Sequence, residues 1–195
     1  MFRLSLMMMA FFPILIIITS ALYSKNNNYS FFFTFCSLFT CELVNGKSNK
    51  LIRAFYHLSF FSFFLGILLL ANTIELLVPK YAILCKLSLY FAAFLSFFAT
   101  LIYSHKSKNH SKIHNFLSFG FFSFLTQFNI VVGLSSSFQP SLYHSVFSII
   151  ILPVLVKLLI VTKDKIKYKT LLVLIHKVHL FSLFAVIFSF VLISI

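Results

Sequence analysis

The chain has 195 residues, of which 61% are hydrophobic and 10% charged, with a formal net charge of +13 at pH 7. A soluble domain carries about 25% charged residues, so a conventional water-facing surface is excluded for most of this chain. Its three acids, Glu42, Glu75 and Asp164, argue against paired-carboxylate or two-metal chemistry, and the basic excess sits in short segments between apolar runs, where lipid headgroups rather than nucleic acid are the expected partner.

The expected fold is all-α, a multi-pass transmembrane helical bundle. A helix needs about 20 apolar residues to cross a bilayer, and charge-free windows give six candidate spans: 5–23, 56–78, 81–103, 116–138, 142–162 and 171–195. The first, beginning "MFRLSLMMMAFF", also reads as a cleaved signal peptide, with a basic start and small residues at Ser20 and Ala21. After it, "FFFTF" has strand-forming residues and "VNGK" is a turn signal, so the first loop is expected to be a small β or irregular structure. Spans two and three are joined by the short "VPK" connection, and "SSSFQPS" breaks the long uncharged stretch between Ile113 and Val156 into spans four and five. The last span holds His176, Lys177 and His179 in its first half, which favours a later start near Val178 and an interfacial place for the two histidines. Tyr23, Tyr56, Tyr81, Tyr103, Tyr143 and Tyr168 fall near proposed span ends, where a tyrosine ring meets the headgroups.

Sidedness has two answers. The glycosylation tripeptides at Asn28 and Asn109 lie in the first and third loops, on one side of the membrane, and a lumenal or extracellular place for them puts the N-terminus in the cytoplasm. The charge rule gives the opposite orientation, because the first, third and fifth loops together hold most of the lysines and arginines.

Several features in chain order resemble the claudin-like four-span superfamily of claudins, peripheral myelin proteins, stargazin-type subunits and clarins. They are a first span followed by the loop motif "SLFTC" (Ser37 to Cys41), Arg53 just before span two, the "VPK" connection, and "ATLIYSHK" leading into a fourth span in which Ser118-Phe119-Gly120 stands for the family's Ser-Tyr-Gly. The resemblance covers residues 1–138. The family's tryptophan is replaced by Phe39, and its pattern ends after span four. It implies a four-span unit over 1–138 with a binding role for the first loop. The remaining 139–195, with spans five and six, is expected to pack loosely against that unit or lie apart. The resemblance also agrees with a cytoplasmic N-terminus.

Candidate chemistry is sparse. Cys36 and Cys41 form a disulfide if the first loop faces an oxidising compartment; otherwise they are free thiols near the membrane, open to palmitoylation. Cys85, on the other side, is left unpaired. Glu75, with Asn72 before it, reads as an interfacial acid near Lys80 or as part of an ion path. His105, His110 and His114 share a lysine-bearing loop and read as solvated rather than as metal ligands. Isolated Gly66, Gly120 and Gly133 form no Gly-xxx-Gly pair, so tight helix dimerisation is not expected. No cofactor is expected. The leading functional expectation is a non-enzymatic scaffold, adhesion or auxiliary protein in the plasma membrane or an endomembrane, acting on another membrane protein or on its own copies through the first loop. The alternative is a six-span receptor or transporter with a polar path near Glu75 and Gln127, where Asn72, Gln127 and Asn129 are the amides within spans.

Overall fold

The computed structural model describes residues 1–37, 43, 48–102, 108–136, 138–161 and 166–194. Among them every regular element is helical: α1 (Phe2–Asn26), α2 (Phe31–Ser37), α3 (Lys50–Thr73), α4 (Ala82–Leu101), α5 (Lys108–Ser135), α6 (Gln139–Val161) and α7 (Ile166–Ile193), with two 3-10 turns, Ile74–Leu76 and Pro79–Tyr81, between α3 and α4. Six of these, all but α2, are long and apolar enough to cross a membrane. They match the six expected spans.

The boundaries follow local chemistry. The α3 helix begins at Lys50 because the Asn49 side chain accepts a hydrogen bond from the Ile52 N–H at 2.9 Å, satisfying one of the free donors of the first turn. The apolar window alone sets that start later, since it ignores the amphipathic first turn carrying Arg53. At the other end Pro79 opens the second 3-10 turn, and the chain reverses into α4. The break between α5 and α6 falls where the serines and proline were expected to place it, with α5 ending at Ser135 and α6 starting at Gln139.

One expectation for the first loop is corrected. Phe31 to Phe35 is helical, within α2, and not a strand. A lone strand would leave its backbone polar groups unpaired, whereas a helix satisfies them within the segment. Cys41 and the "LFTC" stretch lie outside the described residues.

Helices α1 and α3 form an antiparallel pair. Ser5, Met9, Phe12, Ile16, Thr19 and Tyr23 on one, and Ile52, Tyr56, Ser59, Phe63, Gly66 and Leu70 on the other, are buried at alternating spacings of four and three, the pattern of a left-handed helical seam. Gly66 allows the closest approach: a Cβ there would lie 2.6 Å from the Met9 Cγ and 3.0 Å from the Met9 backbone nitrogen. The Ser5 hydroxyl donates to the Gly66 carbonyl at 2.8 Å. So Gly66 does mediate tight packing, within the chain and without a second glycine.

Each long helix packs on the next in the order α1, α3, α4, α5, α6, α7, and α7 returns to α1. Spans five and six are expected to pack loosely on the first four or to lie apart, and α7 instead joins the shared core. Leu180, Leu183, Ile187, Phe190 and Val191 belong to the same core as Met9, Phe12, Ile67, Leu89, Leu125 and Phe128. Among the described residues, α6 contributes Leu152 to that core.

The distribution of polarity is that of a membrane bundle. Large apolar side chains face outward, among them Phe11, Ile14 and Ile17 on α1, Ile83, Phe91 and Phe94 on α4, and Ile149 and Ile150 on α6. Many polar residues of the long helices face inward: Ser5, Thr19, Ser59, Ser96, Asn129, Ser148, Lys177 and His179 are all buried. In lipid the apolar exterior costs nothing and the polar groups find partners only inside.

Candidate functional site

The polar interior is concentrated where α5, α6 and α7 meet. On α6, Ser141, His144, Ser145 and Ser148 are buried and recur at helical spacing, so they share the inward face. On α5, Phe122, Thr126 and Asn129 are buried at spacings of four and three. Phe122 stacks on His179 of α7 at 4.9 Å between ring centroids, so this face of α5 addresses α7. His144 and His179 lie face to face, 5.7 Å apart with a 10° angle between rings.

A hydrogen-bonded chain joins them. The Ser148 hydroxyl lies 2.9 Å from His179 Nε2 and 3.2 Å from His144 Nδ1. His144 Nε2 lies 2.9 Å from the Ser182 hydroxyl, which donates to the His179 carbonyl at 3.0 Å. The Asn129 amide approaches His144 Nδ1 at 3.4 Å. Four buried atoms in this region, Thr126 Oγ1, Asn129 Oδ1, Ser141 Oγ and His179 Nδ1, have no hydrogen-bond partner among the described residues. Such orphans are costly in a low-dielectric interior and rarely kept without a use.

On the far side of His179, Lys177 is buried at 2% exposure. Its ammonium donates to the Phe35 carbonyl of α2 and lies 4.6 Å from the Phe35 ring centre. Phe35 also stacks on Phe181. The last helix begins at Ile166, well before Val178. His179 is fully buried against Phe122, His144 and Phe147, and Lys177 is buried where α2 packs on it.

The residues singled out in the sequence are scattered. Glu75 is half exposed and pairs with Lys86 rather than Lys80. Asn72 is exposed and accepts from the Tyr90 hydroxyl at 2.7 Å. Gln127 is exposed. Of the three amides, Asn129 alone is inside. His114 places its Nδ1 2.9 Å from both the Ala99 and Ile102 carbonyls, closing the end of α4. His105 lies outside the described residues, and Asn109 and His110 are on the first turn of α5. Asn28 is exposed in a turn, with φ of 55°, a left-handed conformation that asparagine tolerates. Cys36 is within α2, and Cys85 is a free buried thiol. Tyr23 and Tyr56, near the ends of their helices, are buried in the α1–α3 region.

His144, Ser148 and Ser182 escaped the sequence reading. The signal was present: within the uncharged stretch, Ser141, Ser145 and Ser148 repeat at spacings of four and three around His144. No family model, curated protein or solved structure matches the chain.

Proposed function

We propose that this chain is a six-span transport protein whose working site is the polar cluster between α5, α6 and α7. The observation that carries the reading is the hydrogen-bonded chain of His144, Ser148, His179 and Ser182, the first three buried and the last half-buried, inside helices whose outer faces are apolar. Ionisable residues inside membrane spans are expensive and typically mark the route of an ion or solute. Bundle stability alone is served by leucine and small residues, as α1 and α3 illustrate. The site is held by side chains with no acid among the described members, and the reading is non-enzymatic.

The test is chemical access. Ser182→Cys and Leu174→Cys are made in a chain with Cys36, Cys41 and Cys85 replaced by serine, then exposed in vesicles to a charged methanethiosulfonate. Leu174 is outward-facing and 43% exposed, so its thiol meets lipid and stays unmodified. Ser182→Cys, on the polar cluster, is modified. Equal inertness of the two thiols would remove the passage.

A second reading, in which the chain is a claudin-like scaffold recognising a membrane partner through its first loop, draws support from a different observation. Helix α2 is fixed against α7 by Lys177 and Phe181, giving the loop a firm base. In that reading Asn28 and Asn109 carry glycans and Cys36 pairs with Cys41. Binding of the isolated partner class would then be lost on shortening the loop, with the spans still inserted.

A further inference from the structure

We propose that a second copy of this chain docks on the outer face of α5, through an amide pair formed by the Gln127 of each copy. This pairing goes beyond the transport reading and is independent of it. The face is a stripe. Phe116, Ser123, Gln127, Ile130 and Leu134 are exposed or half-buried and follow one another at spacings of seven, four, three and four, the repeat of a left-handed helical seam. The opposite face of α5, with Phe122, Leu125, Asn129 and Val132, is already buried in the bundle.

Gln127 sets this stripe apart from a face made for lipid. It lies within the candidate span Lys112–Ser135, about 12 Å of helix rise from the Ser135 end at 1.5 Å per residue, too deep for its side chain to reach the headgroups. Its amide is exposed and has no hydrogen-bond partner among the described residues. Asn72, an exposed amide on α3, differs. Its Nδ2 donates to the Leu68 carbonyl at 3.0 Å, and its Oδ1 accepts from the Tyr90 hydroxyl at 2.7 Å. The Ser123 hydroxyl, one turn from Gln127, donates to the Phe119 carbonyl at 2.9 Å. Asn72 and Ser123 are therefore satisfied within the chain, and Gln127 is not. An amide left unpaired in hydrocarbon is costly, and a partner helix relieves that cost.

The partner that fits is an identical chain, because an amide is complementary to itself: it carries N–H donors and a carbonyl acceptor side by side. Two copies in one membrane share an orientation, so a two-fold axis along the membrane normal sets their α5 helices parallel. Each seam residue then meets its own counterpart at the same depth. At Gln127 the Nε2–H of each copy donates to the Oε1 of the other, and both amides leave the lipid. Phe116, Ile130 and Leu134 supply apolar contact above and below, and the small Ser123 lets the helices approach. The stripe holds no charge between Phe116 and Leu134, so nothing in it repels an identical face. One polar position in an apolar seam also fixes the register of the pair. No Gly-xxx-Gly motif is required, since hydrogen bonds rather than glycine contacts join the helices.

The test is energy transfer between donor- and acceptor-labelled copies of the full chain in lipid vesicles, followed as the lipid-to-protein ratio rises. Wild type gives transfer above the random-mixing level, and dilution with lipid abolishes it. Gln127→Leu, which leaves the outer face wholly apolar, loses half its transfer at a dilution at least tenfold lower than wild type. Asn72→Leu removes an outward amide that is satisfied within the chain, and keeps the wild-type midpoint. Helix content is checked for each variant, so that loss of fold is not mistaken for loss of pairing. A second readout uses the chain with Cys36, Cys41 and Cys85 replaced by serine, treated in vesicles with a short bis-maleimide. Ser123→Cys is captured as a dimer. Ile14→Cys, 51% exposed on α1, is not. Wild-type transfer at the random-mixing level, a Gln127→Leu midpoint equal to wild type, or capture through Ile14→Cys in place of Ser123→Cys overturns the pairing. Thiol access at Ser182→Cys reports on the polar cluster and not on this face, so the pairing and the transport reading fail separately.

Discussion

Lys177 shows how one residue is placed by its neighbours. An isolated lysine at the centre of a span costs about 3 kcal/mol to insert, and the sequence offers no acid near it. The structure supplies a carbonyl at the C-terminal end of α2 and the face of Phe35. A helix C-terminus carries partial negative charge, so this position favours an ammonium. Lys177→Met keeps the volume and removes the charge. Hydrogen bonds to charged groups contribute about 1.5–3 kcal/mol, so the expected outcome is faster amide exchange over Phe31–Ser37, by roughly ten- to hundredfold, with α3 to α5 unchanged. Unaltered exchange in α2 would show that Lys177 does not hold it. Neither contact was legible in the sequence, because Phe35 and Lys177 are far apart along the chain and no local pattern links them. The same holds for His144 and His179: a histidine in an apolar run reads as interfacial until the facing helix is known.

At the level of elements, the spans were legible and their faces were not. Apolar length is a local property, so all six helices were found. Start points were missed where a cap rather than hydropathy sets them. Asn49→Ala should lower stability by about 1 kcal/mol, the usual value of an N-cap, in detergent unfolding followed by circular dichroism. Gly66→Ala should cost more, about 1–3 kcal/mol. The added methyl meets the Met9 side chain, which can move, and the Met9 backbone nitrogen at 3.0 Å, which moves only with α1. Gly66→Ala combined with Met9→Ala should recover only part of the loss. Full recovery would mean that the backbone approach is looser than described. The four-three spacing along α1 and α3 was readable in advance. It was obscured because serine, threonine and glycine occupy seam positions that in a soluble protein would hold leucine, and phenylalanine lines both faces.

For the molecule as a whole, two features organise the account: an apolar exterior, and a polar core that α5, α6 and α7 assemble jointly. Orientation can be read out at Asn28, exposed in a turn just after α1. If the first loop is lumenal, endoglycosidase treatment increases gel mobility and Asn28→Gln removes that part of the shift. No shift, with first-loop tags accessible from the cytoplasm, gives the orientation that the lysine distribution favours. The polar cluster reads the same in either orientation, since it lies within the bundle. Its role as a working site is tested most directly by the access of a small charged thiol reagent to Ser182→Cys in vesicles. The account predicts that Ser182→Cys is modified while the outward-facing Leu174→Cys is not. An inert Ser182→Cys would contradict it.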